Sequence, residues 1–66
     1  MNKEDFILLL KSKGYKCIYE NNMPIVLVKS REEITENLIK IKEYVKLTGY
    51  DYSWGISVQN DRDIDN

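Results

Sequence analysis

Apolar residues recur with helical and strand periods in turn along the chain, and they predict five elements of secondary structure. The first is an amphipathic helix over residues 3–13, with Phe6, Leu9 and Leu10 on its buried face. Asn2 is a favourable N-cap for it, because the side-chain oxygen accepts a hydrogen bond from a free N–H of the first turn. The chain therefore opens with a short helix that has one apolar face.

Two strands are expected next, joined by a turn at Asn21-Asn22. Residues 15–20 alternate, with Tyr15, Cys17 and Tyr19 on the predicted core face. Residues 25–28 are continuously apolar, which is typical of a strand covered on both faces. One alternate pair of these four residues must then point away from the helices.

A second helix and a third strand complete the pattern. Ser30 and Glu33 have the spacing of a capping box, in which each side chain satisfies a backbone N–H near the other. The helix has a core stripe at helical spacing. The stripe comprises Ile34, Leu38, Ile41 and Val45. The last strand spans residues 51–58 and places Tyr52, Trp54, Ile56 and Val58 on one face, so that Trp54 is expected to be mostly buried against the helices.

A Gly-Tyr pair follows each predicted helix, at Gly14-Tyr15 and at Gly49-Tyr50. Glycine is favoured at the C′ position because it adopts a left-handed conformation without a Cβ clash. Both helices are therefore expected to end at these glycines.

The predicted order is α-β-β-α-β, which defines an α+β fold with two helices packed on one face of a small three-stranded mixed sheet. The hairpin is antiparallel, the crossover makes strands two and three parallel, and the apolar second strand is central. This arrangement resembles a ferredoxin-like fold without its first strand, in architecture alone. Residues 1–58 are expected to form a single domain, and residues 59–66 an acidic, disordered tail.

Composition excludes the usual reinforcements of a small domain. The chain has 66 residues, one cysteine and no histidine, so we expect neither an internal disulfide nor a zinc site, and no cofactor. Self-association is the reinforcement that remains. The net charge is −1, and no apolar run is long enough for a membrane span, so we expect a cytoplasmic protein without membrane contact. The composition is also compatible with a prophage or other mobile element as the source.

Candidate chemistry is sparse, and we expect no enzyme. Cys17 is the one strong nucleophile, but its alternation places it in the core without a base partner. Asp61, Asp63 and Asp65 have the spacing that begins a calcium loop, yet the glycine and glutamate that the loop requires are missing. We interpret these aspartates as part of a solvated tail.

Surplus apolar residues favour protein binding or homodimer formation. The side of the sheet without helices is predicted to be apolar in its centre and flat along the third strand, which suits a docking surface. Its candidate partner-binding residues are Ile18, Val26, Val28, Ser53, Gly55 and Ser57. Leu8, Ile39 and Leu47 are expected to point outward from the helices, as isolated exposed residues commonly do.

The alternative hypothesis is a weak nucleic-acid-binding protein. In that case Tyr15, Tyr19, Tyr52 and Trp54 would stack single-stranded bases, with Lys16 nearby. The alternation of these aromatics with Cys17, Ile56 and Val58 favours a core role instead. The remaining lysines divide between two ends of the domain, which does not predict a continuous basic stripe.

Overall fold

The computed structural model of the protein describes residues 1–59 and contains two helices and three strands. The elements are α1 (Lys3–Ser12), β1 (Lys16–Glu20), β2 (Met23–Val28), α2 (Arg31–Thr48) and β3 (Gly55–Val58). Of the predicted tail, only Gln59 lies within the described residues. The candidate calcium ligands lie outside them, at Asp61, Asp63 and Asp65.

The sheet has the order β1-β2-β3, with β1 and β2 antiparallel and β2 and β3 parallel. Residues from both helices join one core cluster on a single face of the sheet. The predicted α-β-β-α-β architecture is therefore confirmed, with the most apolar strand in the centre.

Helix α1 ends as its sequence predicts. The Asn2 side chain accepts a hydrogen bond from the Asp5 N–H at 2.8 Å. At the other end Gly14 has φ +94°, and the N–H groups of Gly14 and Tyr15 donate to the carbonyls of Lys11 and Leu10, at 3.0 Å each. This pair of bonds is the Schellman motif, which uses two carbonyl groups that the helix would otherwise leave without a partner.

The N-terminal cap of helix α2 differs from the prediction. Ser30 is the N-cap, but its side chain makes no capping hydrogen bond, and the Glu33 carboxylate instead accepts from the Lys29 N–H at 3.3 Å. The predicted reciprocal capping box is therefore wrong. At the other end Gly49 has φ +73° and its N–H donates to the Val45 carbonyl at 3.0 Å. That single bond is the simpler left-handed cap.

The centre of the core is formed by α1 and by Tyr50, the residue that follows the glycine cap of α2. Phe6, Ile7 and Leu10 are buried on α1, whereas Leu9 is only half-buried. Ile7 therefore takes the core position that the helical pattern gave to Leu9. Tyr50 is 2% exposed and stacks on Phe6, which links the end of α2 to the first helix.

Strand β3 is shorter than predicted. It begins at Gly55 rather than residue 51, because residues 50–54 form a loop whose conformation is held by Tyr50. The Tyr50 hydroxyl donates to the Ser53 carbonyl at 2.8 Å. The prediction that Ser53 belongs to the strand is wrong, and Trp54 is half-buried against the core just before the strand begins.

Candidate interaction surfaces

The register of the sheet decides which residues face away from the helices. Val26 and Val28 pack in the core cluster with the helix residues, so the prediction that they line the helix-free face is wrong. The outward pair is Ile25 and Leu27. The continuous apolar run of β2 has no alternation from which the sequence could distinguish the two pairs.

Two rows of residues cross the helix-free face. Ile25 is paired with Ile18 on β1 and with Gly55 on β3, while Leu27 is paired with Lys16 and Ser57 in the neighbouring row. The structure thus brings together three predicted site residues, Ile18, Gly55 and Ser57. Ser53 is not part of this group, because it lies exposed in the loop before β3.

The centre of this face offers little accessible apolar surface. Ile25 and Leu27 are only 3% and 5% exposed, and a Cβ added at Gly55 would lie 3.1 Å from Ile25 Cδ1. Side chains at the margins, such as Ile18 and Ser57, are half-buried. The margins of the sheet, and not the middle of its helix-free face, are therefore the accessible part.

The two outer strands differ in how well their edges are protected. Charged side chains, which discourage pairing with another chain, occur on β1 at Lys16 and Glu20. The sequence of β3 is Gly-Ile-Ser-Val and has no charge. β3 pairs with β2 on one side, and no strand among residues 1–59 pairs with its other edge. β3 is therefore the unguarded edge of the described sheet.

The side of the core formed by α2 and β3 is also less completely covered than the α1 side. Ile41 is the one fully buried residue of α2. Other apolar side chains on these two elements and the loop before β3 pack against the core but remain half-buried. They are Ile34, Tyr44, Val45, Trp54 and Ile56. Apolar surface therefore remains accessible on the same side of the domain as the unguarded edge.

The predicted aromatic platform is divided in the structure. Tyr15 and Trp54 pack against the core, whereas Tyr19 and Tyr52 are 48% and 54% exposed. The two exposed rings line one open groove of about 540 Å³ beside the start of α1. No local pattern in the sequence predicts this groove, because 32 residues lie between its two tyrosines.

The single thiol lies on the core face of β1, as its alternation predicted. Cys17 is buried, and burial raises the pKa of its thiol, while the nearby Lys11 ammonium partly offsets that rise. A raised pKa leaves little reactive thiolate at neutral pH. This environment suits a packing residue.

Exposed apolar residues on the helices do not add a further surface. Leu8 on α1 and Ile39 and Leu47 on α2 are exposed, as predicted. Ile39 and Leu47 are eight positions apart, which separates them by about 12 Å along a helix. Isolated apolar residues of this kind are ordinary on protein surfaces.

Comparison of the chain with protein-family models, curated proteins and solved structures finds no match. Neither helix of residues 1–59 combines the length and apolar character that crossing a membrane requires.

Proposed function

We propose that this chain is a non-catalytic protein-binding domain that pairs with another chain along the outer edge of β3. The single observation that carries the proposal is the edge of Gly55–Val58, which is uncharged and which no strand within residues 1–59 pairs with. Such an edge presents free N–H and C=O groups that can extend the sheet into a partner. A second copy of the same chain is the default partner, since symmetric dimers are the commonest form of association.

The half-buried residues beside this edge support the same conclusion. Strand addition at β3 would bring a partner close to Trp54 and Ile56 and would remove part of their surface from water. A small domain without a disulfide gains more from such burial than a large one does. Four residues give a short strand, so we expect a weak, concentration-dependent dimer.

Nucleic-acid binding receives less support than protein binding. Tyr15 and Trp54 pack against the core, which removes half of the predicted platform. Lys16 pairs with Leu27 in the row towards the end of β2, whereas Tyr19 lies opposite Pro24 near its beginning. An accessory role, a cytoplasmic location and a prophage or mobile-element origin stay predictions from the sequence.

The edge can be tested with one substitution and a matched control. Ser57→Lys places a charge on β3 on the helix-free face, where the lysines of two copies would lie close together in a symmetric strand pair and repel each other. Ser53→Lys adds the same charge in the exposed loop outside the strand. Sedimentation velocity over a range of concentrations should show dimer formation in wild type and Ser53→Lys, and a loss of at least about tenfold in association for Ser57→Lys.

Two results would contradict the proposal. One is a wild-type chain that stays monomeric at millimolar concentration. The other is equal association of both lysine variants, which would place the contact elsewhere. Unfolding midpoints of the variants, measured in parallel, ensure that Ser57→Lys has not simply unfolded the domain.

A further inference from the structure

Helix α2 lies on the β3 side of the domain. It contacts both β2 and β3, whereas α1 contacts β1 and β2. Neighbouring strands lie about 4.8 Å apart, so the axis of α2 is only about half a strand spacing inside the line of β3. A second chain that pairs with the outer edge of β3 would therefore meet α2 as well as the strand.

The contacts of α2 with the end of α1 define how this helix is turned about its axis. Lys13 Nζ lies 6.0 Å from the centroid of the Tyr44 ring. Glu33 and Asn37 line a groove together with Tyr15, the residue before β1. The side of α2 that carries residues 33, 37 and 44 therefore faces the end of α1 and the β1 side of the sheet.

The flank of α2 that faces the outer edge of β3 is apolar. Ile34, Leu38 and Val45 each follow one of those three residues in sequence, so they lie about 100° further round the helix, beyond the buried Ile41. All three are half-buried, and so is Ile56 of β3, which packs against the same core. This α2 flank (Ile34, Leu38 and Val45) leaves apolar surface accessible beside the unguarded edge.

A symmetric antiparallel pair of β3 strands would bring two copies of α2 together. The two-fold axis of such a pair is perpendicular to the sheet, so the helices of both copies lie on the same face. The two α2 axes would then be separated by about two strand spacings, or about 10 Å. Packed helices have their axes about 8–10 Å apart. The spacing therefore fits direct contact between the two α2 flanks.

The middle of β3 is level with the middle of α2. Asn37 and Val28 line one groove, and Val28 pairs with Val58 at the end of β3. Because α2 runs back along the sheet from that end, the residues just after Asn37 lie over the middle of β3. A two-fold axis through the middle of β3 therefore passes close to Leu38.

The charges of α2 favour an antiparallel second copy. Residues 31–37 carry one arginine and three glutamates, a net charge of −2, whereas residues 40–46 carry three lysines and one glutamate, a net charge of +2. Arg31 and Glu43 run against this division and are included in the two values. Two antiparallel copies place each acidic half beside a basic half, and their helix dipoles oppose each other. A second copy thus has the reverse order of charge that this flank requires, whereas an unrelated partner has no such built-in match.

We propose that two copies of the chain associate through a continuous six-stranded sheet and a two-helix layer, in which the α2 flanks pack antiparallel with Leu38 near the two-fold axis. The helix contact depends on the β3 pairing proposed above and adds to it. A four-residue strand supplies only part of the roughly 800 Å² that a standard interface buries on each partner. Contact between the α2 flanks would remove further apolar surface from water and would select a second copy as the partner.

Leu38→Lys tests the helix contact, and Leu47→Lys is its matched control. Leu47 is 83% exposed and nine positions from Leu38, which places it on the opposite side of α2. In sedimentation velocity Leu38→Lys should weaken dimer formation by at least about tenfold, because two lysines would meet near the two-fold axis. Leu47→Lys should change it by less than about twofold. Unfolding midpoints in urea check that each variant is folded. Thr35→Lys adds a charge at an exposed position on the same side as Leu38, and it should weaken association by at least about threefold even if Leu38→Lys unfolds.

Spin labels on α2 test the antiparallel arrangement directly. Single cysteines at Ile39 and at Lys46, both exposed, are labelled in a Cys17→Ala background, and the separation between the two copies is measured by electron paramagnetic resonance. Position 39 lies near the two-fold axis, whereas position 46 lies seven residues further, which displaces the two labels by about 10 Å each in opposite directions. The separation should therefore be at least about 10 Å longer at position 46 than at position 39.

The outcomes distinguish the helix contact from the strand pairing. If Ser57→Lys loses association while Leu38→Lys and Thr35→Lys keep it, the pairing at β3 stands and the contact between α2 flanks is wrong. Equal label separations at positions 39 and 46 would overturn the antiparallel arrangement. A wild-type chain that stays monomeric at millimolar concentration would remove both.

Discussion

The ring of Tyr50 lies almost parallel to the ring of Phe6, with the centroids 4.0 Å apart. Phe6 belongs to the first turns of α1, and Tyr50 follows the glycine cap of α2. Both side chains are among the most deeply buried of the described residues. This contact joins two helices that are far apart in the chain, and it anchors the loop that leads into β3.

The coupling between these rings can be measured with a double-mutant cycle of Phe6→Leu and Tyr50→Leu. Both changes keep an apolar group, so the cycle isolates the stacking from the burial of area. We expect a coupling free energy of about 0.5–1.5 kcal/mol from chemical denaturation. The whole domain is expected to have a stability of roughly 3–10 kcal/mol, so this one contact is a substantial part of it. Strictly additive effects would show that the two rings do not interact energetically.

Substitution of either capping glycine should lower the free energy of unfolding, and by more when the new residue adopts positive φ less readily. Gly14→Val and Gly49→Val should each lower the free energy of unfolding by about 1 kcal/mol or more, because a β-branched residue resists positive φ. A Cβ at either position would meet no atom within 4 Å apart from those of the adjoining backbone, so the expected loss comes from the backbone conformation and not from contact of the Cβ with a distant residue.

Asparagine supplies the matched control for both glycines, since it tolerates the left-handed conformation better than valine. Gly14→Asn and Gly49→Asn should therefore lose clearly less stability than the valine variants in urea titrations. Equal losses for asparagine and valine would remove the conformational explanation.

Stability should fall at alkaline pH, in part because of Tyr50. Burial is the main cause that raises the pKa of its hydroxyl above the usual 10.0, and Tyr19, Tyr52 and Asp51 raise it further. The folded state thus holds the proton more tightly than the unfolded state. This contribution is complete below pH 10 and is lost as pH rises through the folded-state pKa.

Tyr50→Phe separates this effect from other alkaline transitions. At neutral pH the variant should be about 1 kcal/mol less stable, because it loses the hydrogen bond to the Ser53 carbonyl. As pH rises above about 10 the stability difference from wild type should shrink, since the phenylalanine has no proton to lose. Urea titrations at several pH values measure this, and a constant difference would mean that Tyr50 does not titrate differently on folding.

Local signals in the sequence were sufficient to predict most of the fold. Asn2, Gly14 and Gly49 each act through neighbours within five residues, and their roles were predicted correctly. The faces of β2 were not predictable in this way, because every residue from Ile25 to Val28 is apolar and only the pairing with β1 and β3 distinguishes them.

Contacts between distant residues account for what the sequence concealed. The alternation from Tyr52 to Val58 predicted a strand from residue 51, but Tyr50 stacks on Phe6 and bonds to Ser53, which holds the loop out of the sheet. The groove at Tyr19 and Tyr52 likewise depends on how the β1–β2 turn and the later loop meet. Neither arrangement follows from a local period.

The short strand β3 covers one edge of the central strand β2, which is an aggregation-prone segment. Ile25–Val28 is apolar, uncharged and rich in β-branched residues, which is the composition of segments that form intermolecular sheets. One edge of β2 is paired with β1 in a local hairpin, whereas the other is closed only after α2 has crossed over and delivered Gly55–Val58. A chain that is cut or stalled within the loop at residues 50–54 would leave that edge open, and we expect it to precipitate more readily than a chain that includes β3.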